Sequence, residues 1–231
     1  VLFLDELTAA APSLQPTVYG LLQERRVGRH RLPNSVMIVA AGNQVEDGAI
    51  AYDMGTALSD RLIHMIVQAN AGDWLANYAI PAGIHPAVAA FIRTRPDLLE
   101  TTEDSIRRGQ MIACTPRSWT RVSRIMDCIA DRATRQVMIA GTVGAAPAAE
   151  FALVADEIAA TVRIDEMLAT ARDERTALYP TTLQGLTALV YGLVGISTRE
   201  TLSGDIELLA DLRTHGRLAA GGVPTRELAI Q

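Results

Sequence analysis

The 231 residues carry 26 acids against 21 bases, a formal charge of -5, with 49% hydrophobic and 20% charged side chains. That balance excludes a disordered chain and offers no bulk attraction to nucleic acid or to an anionic membrane surface. Aromatic residues make up only 4%, so the core is expected to be aliphatic and mostly helical, and every one of the 21 bases is arginine, which leaves no lysine to hold a phosphate.

Val1-Leu2-Phe3-Leu4 is an unbroken apolar run ended by Asp5-Glu6. The pattern predicts a strand buried on both faces whose carboxyl end meets solvent, the edge at which parallel α/β sheets place their chemistry. Because Val1 opens directly on this run, the chain is expected to begin mid-domain. From Ser13 to Gln23 the positions Leu14, Val18, Leu21 and Leu22 recur at helical spacing, with Pro16 tolerated in the first turn. Arg25 to Leu32 reads as a hairpin turning at Gly28, dense in Arg25, Arg26, Arg29, His30 and Arg31. A second apolar run, Val36 to Ala41, ends at Gly42-Asn43. Ile63 to Val67 is expected to form a third strand, after a short helical piece carrying Ser59-Asp60-Arg61.

Beyond about Asn70 the strand signals stop. Pro86–Arg95, Pro116–Arg132, Val137–Ile158 and Thr182–Val194 have helical periodicity or composition, so the chain is expected to pass from α/β to all-α. Thr115-Pro116 is a helix start, N-cap then first-turn proline, and Trp119, Val122, Ile125, Met126 and Ile129 form one apolar stripe that Arg117 does not share. Met126, Met138, Met167, Trp74 and Trp119 are read as packing residues. Gly221-Gly222-Val223-Pro224 predicts a loose tail. Cys114 and Cys128 lie far from any metal-ligand spacing with His30, His64, His85 or His215 and are expected to be reduced packing cysteines of a cytoplasmic protein. The longest clean apolar run, Ala188 to Ile196, is short of the roughly 20 residues of a spanning helix.

Four features combine chemically. A strand ending in Asp5-Glu6 can offer one carboxylate to hydrated magnesium and a second to polarise an attacking water. Asn43, ending a neighbouring strand, can reach the same water. Arg61 precedes a strand at a position from which it can serve an adjacent subunit. Arg117 stands at a helix N-terminus, where a cation is disfavoured unless an anion joins it. Each also has a plainer reading: two solvated acids, a Gly-Asn turn, a surface arginine paired with Asp60, a capping arginine.

In this order the motifs resemble the AAA+ ATPases, and among them the MoxR-type branch, through Val1-Leu2-Phe3-Leu4-Asp5-Glu6, Ala40-Ala41-Gly42-Asn43, Ser59-Asp60-Arg61 and Thr115-Pro116-Arg117-Ser118-Trp119. The resemblance covers residues 1–145. It implies that Asp5 and Glu6 are the Walker B pair, with Asp5 reaching Mg2+ through water, that Asn43 is sensor 1, Arg61 the arginine finger and Arg117 sensor 2. It further implies ATP as cofactor, a partial α/β core over 1–69, a helical lid over 70–145, a C-terminal helical extension over 146–231, and a ring, expected to be a hexamer, that remodels a protein or protein–cofactor client. The family's G-x-x-x-x-G-K-[ST] loop is absent from these residues, so this stretch alone is expected to be inactive. Two other readings stay open: a non-catalytic scaffold of the same shape, and a nucleic-acid motor or loader gripping its substrate with the basic hairpin.

Overall fold

The structure, a computed structural model, describes residues 1–44, 51–175 and 177–214, and it passes from α/β to all-helical. Two compact units divide it, Val1–Gln68 and Ala69–Gln231. The tail at Gly221–Pro224 lies outside the described residues. Among the described residues no helix is long and apolar enough to cross a membrane.

In the first unit, strand β1 (Leu2–Leu4) leads through two 3-10 turns into helix α1 (Gln15–Tyr19) and a π-helical turn, Gly20–Glu24. Strands β2 (Arg26–Val27) and β3 (His30–Arg31) form the hairpin, with Gly28 at φ 56°, a left-handed value that a side chain would disfavour. Arg25 donates from one terminal nitrogen to the carbonyls of Pro33 and Val36, tying the hairpin's base to the chain beyond it. Strand β4 (Ile38–Ala40) then pairs in parallel with β1, Leu2 opposite Ile38 and Leu4 opposite Ala40. Helix α2 (Gly55–Ser59) follows.

Two expectations are corrected here. Strand β1 is not buried on both faces: Leu2 and Leu4 are half-buried, but Phe3, on the opposite face, is 56% exposed, and among the described residues β1 pairs with β4 alone. Ile63–Val67 forms no strand at all. A strand requires a backbone ladder, no described strand supplies one to this run, and its apolar side chains stay in solvent, Ile63 at 93% and Val67 at 94% exposure.

The second unit holds helices α3 (Ala71–Trp74), α4 (Pro86–Thr94), α5 (Thr102–Arg107), α6 (Pro116–Cys128), α7 (Arg132–Val143), α8 (Ala145–Thr161), α9 (Ile164–Ala169), α10 (Arg172–Arg175), α11 (Leu183–Ile196) and α12 (Leu202–Thr214). The run Val137–Ile158 is broken at Gly144, whose φ of 94° ends α7 and starts α8. Thr115 caps α6 reciprocally: its Oγ1 accepts from Ser118 N at 3.0 Å and Ser118 Oγ accepts from Thr115 N at 2.8 Å, which satisfies two otherwise orphaned donors. That fixes where Trp119 enters the core. Its ring packs on Phe91 (centroids 5.2 Å apart) and Phe151 (5.8 Å), and its Nε1 donates to Leu98 O at 2.7 Å. Helices on both sides of residue 145 contribute to this core, Phe151 and Ile158 from α8 beside Phe91 and Trp119. A second cluster gathers Met167, Leu186, Leu189, Leu193, Leu208 and Leu212. Helix α11 serves both clusters, Ala188 in the first and Leu189 in the second, which explains why it is apolar nearly all round. Met167 is buried and Met126 packs at the core's edge, but Met138 is exposed, since it lies off the buried face that Ile139 and Val143 define on α7.

The cysteines separate likewise. Both are free; Cys114 is buried with its thiol pushed up to about 11 by desolvation, whereas Cys128, expected to pack, is exposed at the end of α6. A thiol-specific disulfide reagent at pH 8 should titrate one thiol at once and the second only on unfolding, and replacing Cys128 by Ser should abolish the fast phase. His85 is the N-cap of α4, its Nδ1 accepting from Ala87 N at 3.2 Å, which requires that nitrogen unprotonated. Burial pushes its pKa below 6.5, against an opposing pull from Asp127 and with a smaller downward push from Arg135. The unfolded chain therefore takes up a proton that the folded chain refuses, so stability should be full above about 6.5 and fall as pH drops below it. Urea midpoints across that range should show this slope in the wild type and lose it in His85→Asn, which keeps a cap acceptor.

Candidate functional site

The site grows from the carboxyl ends of β1 and β4. Parallel pairing brings both ends to one edge, and the ladder runs on past the strands, Ala41 N donating to Leu4 O at 3.0 Å and Leu7 N to Ala41 O at 2.8 Å. Glu6 sits between these bonds at φ 54°, ψ 40°, a left-handed conformation rarely adopted by a residue with a Cβ. Its Oε2 accepts a hydrogen bond from Asn43 Nδ2 at 3.3 Å. Asp5 Oδ1 accepts from Glu6 N at 3.1 Å, and both carboxylates are exposed.

Gly42 makes this approach possible. A Cβ at that position would lie 2.5 Å from Thr8 Oγ1 and 2.9 Å from Thr8 Cγ2, closer than real Cβ atoms come, and 3.0 Å from Thr8 N. Thr8 is itself held by its carbonyl, which accepts from Tyr52 N at 2.7 Å. The absence of a side chain at Gly42 thus lets the chain pass against Thr8 and bring Asn43 opposite Glu6.

Arg61 belongs to the same unit but to a different neighbourhood. It does not pair with Asp60. Its Nε and Nη2 both donate to Gln23 Oε1, at 3.1 and 2.9 Å, its Nη1 donates to Ala57 O, and its guanidinium carbon stands 5.8 Å over the Tyr19 ring. Sequence reasoning missed Gln23, Tyr19 and Thr8. The spacing of Gln15, Tyr19 and Gln23, four residues apart along one helical face, was the available signal for the first two. Arg117 lies in the second unit, exposed in the first turn of α6 beside Pro116.

Asp5, Glu6 and Asn43 therefore come together, Arg61 is held by its own unit's α1 segment, and Arg117 stands in the helical unit. Among the described residues no group of three or more His, Cys, Asp or Glu gathers as a metal cage. No protein-family model, curated protein or solved structure matches the chain.

Replacing Gly42 by Ala should destabilise the first unit by about 1–3 kcal/mol, because Thr8's backbone has to move aside. An unchanged thermal midpoint, read by a probe confined to residues 1–68, would refute the contact's role.

Proposed function

We propose that the chain belongs to an ATP-hydrolysing protein of the AAA+ class, MoxR type, which works in the cytoplasm as a hexameric ring and spends turnover on remodelling a protein or protein–cofactor client. The observation that carries this reading is the Asn43–Glu6 contact at the aligned ends of two parallel strands. A carboxylate and an amide held side by side at such an edge suit one task, fixing a water between a base and a phosphate oxygen. The motif order along the chain supplies the family.

In this reading Glu6 takes the partial positive charge of the attacking water's hydrogens and orients its lone pair. Asn43 Nδ2 donates toward the water or the terminal phosphate once Glu6 turns to its substrate. Among the described residues Asp5 Oδ2 has no protein donor and, as a hard oxygen, it fits Mg2+ bound through water. That ion, when bound, neutralises charge on the phosphate oxygens. Arg61 offers positive charge to a neighbouring subunit's nucleotide and Arg117 to that of its own subunit. The phosphate-cradling loop that the family uses is not among these residues, so the test is made on the protein translated from its entire reading frame.

In that protein Glu6→Gln should leave ATP binding intact and lower turnover by roughly 100-fold, since the isostere lacks the charge that orients water. Asn43→Ala should lower kcat more than it raises KM. Glu6→Gln turnover within about threefold of wild type, about 0.7 kcal/mol at the transition state, would overturn the assignment. Equal loss of affinity and no loss of turnover per bound nucleotide would make Asn43 a turn residue.

A further inference from the structure

We infer that Gln23 is the positioning residue for Arg61, and that the face Gln15–Tyr19–Gln23 is a seat which presets the guanidinium to meet an anionic oxygen outside its own unit. The inference rests on reading Arg61 as a finger. A guanidinium has five N–H donors in one plane. Three are engaged here: Nε and one on Nη2 with Gln23 Oε1, and one on Nη1 with Ala57 O. Among the described residues one donor on each terminal nitrogen is left, and the side chain is exposed. Two donors on adjacent nitrogens of one rigid plane are the fork that binds two oxygens of a phosphate or carboxylate.

The seat itself is braced. Tyr19 OH donates to Gln15 Oε1 at 3.4 Å, Gln15 Nε2 donates to Asp53 O at 3.2 Å, and Asp53 Oδ1 accepts from Gly55 N at 2.8 Å, at the start of α2. The α1 segment therefore clasps the α2 segment at both ends, Gln15 on Asp53 before the helix and Gln23 on Arg61 after it. The guanidinium carbon also lies 5.8 Å from the Tyr19 ring centre, at cation–π range. A free arginine loses its rotamer freedom when it grips an anion, and one already held loses far less. Gln23 is exposed and neutral, so it fixes Arg61 without cancelling its charge, which an acid at position 23 would do.

The experiment is a double-mutant cycle on ATP turnover by the assembled protein, translated from its entire reading frame, with Gln23→Met, Arg61→Ala and the two together. Gln23→Met keeps the length of the side chain and removes its acceptor. The expected result is a kcat about tenfold below wild type with KM for ATP within about twofold, and no further loss when Gln23→Met is added to Arg61→Ala. Wild-type turnover in Gln23→Met beside an inactive Arg61→Ala overturns this inference and leaves the ATPase reading standing. An equal loss from Gln23→Met in the Arg61→Ala background also overturns it, because the residue then acts on the fold and not through Arg61. Wild-type turnover in Arg61→Ala overturns the finger reading and this inference with it.

Discussion

The parallel register of β1 on β4 is the constraint from which the candidate site follows. Parallel strands end on the same side, so Asp5-Glu6 and Asn43, separated by 37 residues of chain for the hydrogen-bonded pair, meet at one edge. A register shifted by one residue would turn every side chain of β4 to the opposite face and carry Asn43 away from Glu6. What holds the register is backbone: the ladder continues through Leu4, Ala41 and Leu7, and Gly42 lies against Thr8 with no space for a side chain. The left-handed Glu6 is the local cost of bending the chain back within that ladder. Such strain persists only where surrounding bonds over-determine it, and here the bond to Ala41 on the following residue does so.

The two units are stabilised by different means. The helical unit has a continuous core around Trp119, Phe91 and Phe151, with capped helices and a buried tryptophan whose N–H is satisfied. In the first unit the described buried hydrophobics are Leu7 and Leu58, while Phe3, Met37, Ile63, Met65, Ile66 and Val67 stay exposed. At about 25 cal/mol per Å2 of apolar surface, covering that face is worth several kcal/mol. A two-stranded sheet has little stability of its own. Anything that covered these side chains in the folded unit alone would stabilise the ladder by mass action.

Legibility in the sequence followed the range of the interaction. The chemical ends of β1 and β4, the hairpin at Gly28, the Thr115 cap and the helical character beyond residue 70 depend on neighbours within a few positions, and all were readable from local pattern. Ile63–Val67 was not. An apolar β-branched run states that a segment could join a sheet, whereas strand formation depends on a partner ladder supplied from elsewhere. The break at Gly144 was missed because glycine inside an alanine-rich run is compatible with either a continuous helix or two. Cys128 and Met138 show the limit of residue type as a guide to burial: each lies on a helix whose buried face is set by other positions. The seat of Arg61 was hidden for the opposite reason, its signal being a polar face of α1 that amphipathic reading assigns to solvent.

The two arginines solve the problem of presenting charge in different ways, and the difference follows from their surroundings. Arg117 stands in the first turn of α6, where the backbone dipole places partial positive charge, a position less favourable to a cation than a helix C-terminus. An anion at that point would gain chiefly from the guanidinium, since Pro116 has no N–H and Ser118 N and Trp119 N already donate to Thr115. Arg61 has no helix N-terminus beside it and is instead bonded to a carbonyl and a neutral amide, acceptors that orient a cation without neutralising it. A lysine could not be held in this way, since its three donors rotate about one bond and define no plane. In a chain whose 21 bases are all arginine, rigidity of the guanidinium is what allows a fixed pair of donors to be offered from an exposed surface. On the proposed reading, Arg117 would be ordered only by its ligand. Arg61 is ordered beforehand by the Gln15–Gln23 segment, and on the finger reading an oxygen reaching it from another subunit would have to arrive in the geometry that segment sets.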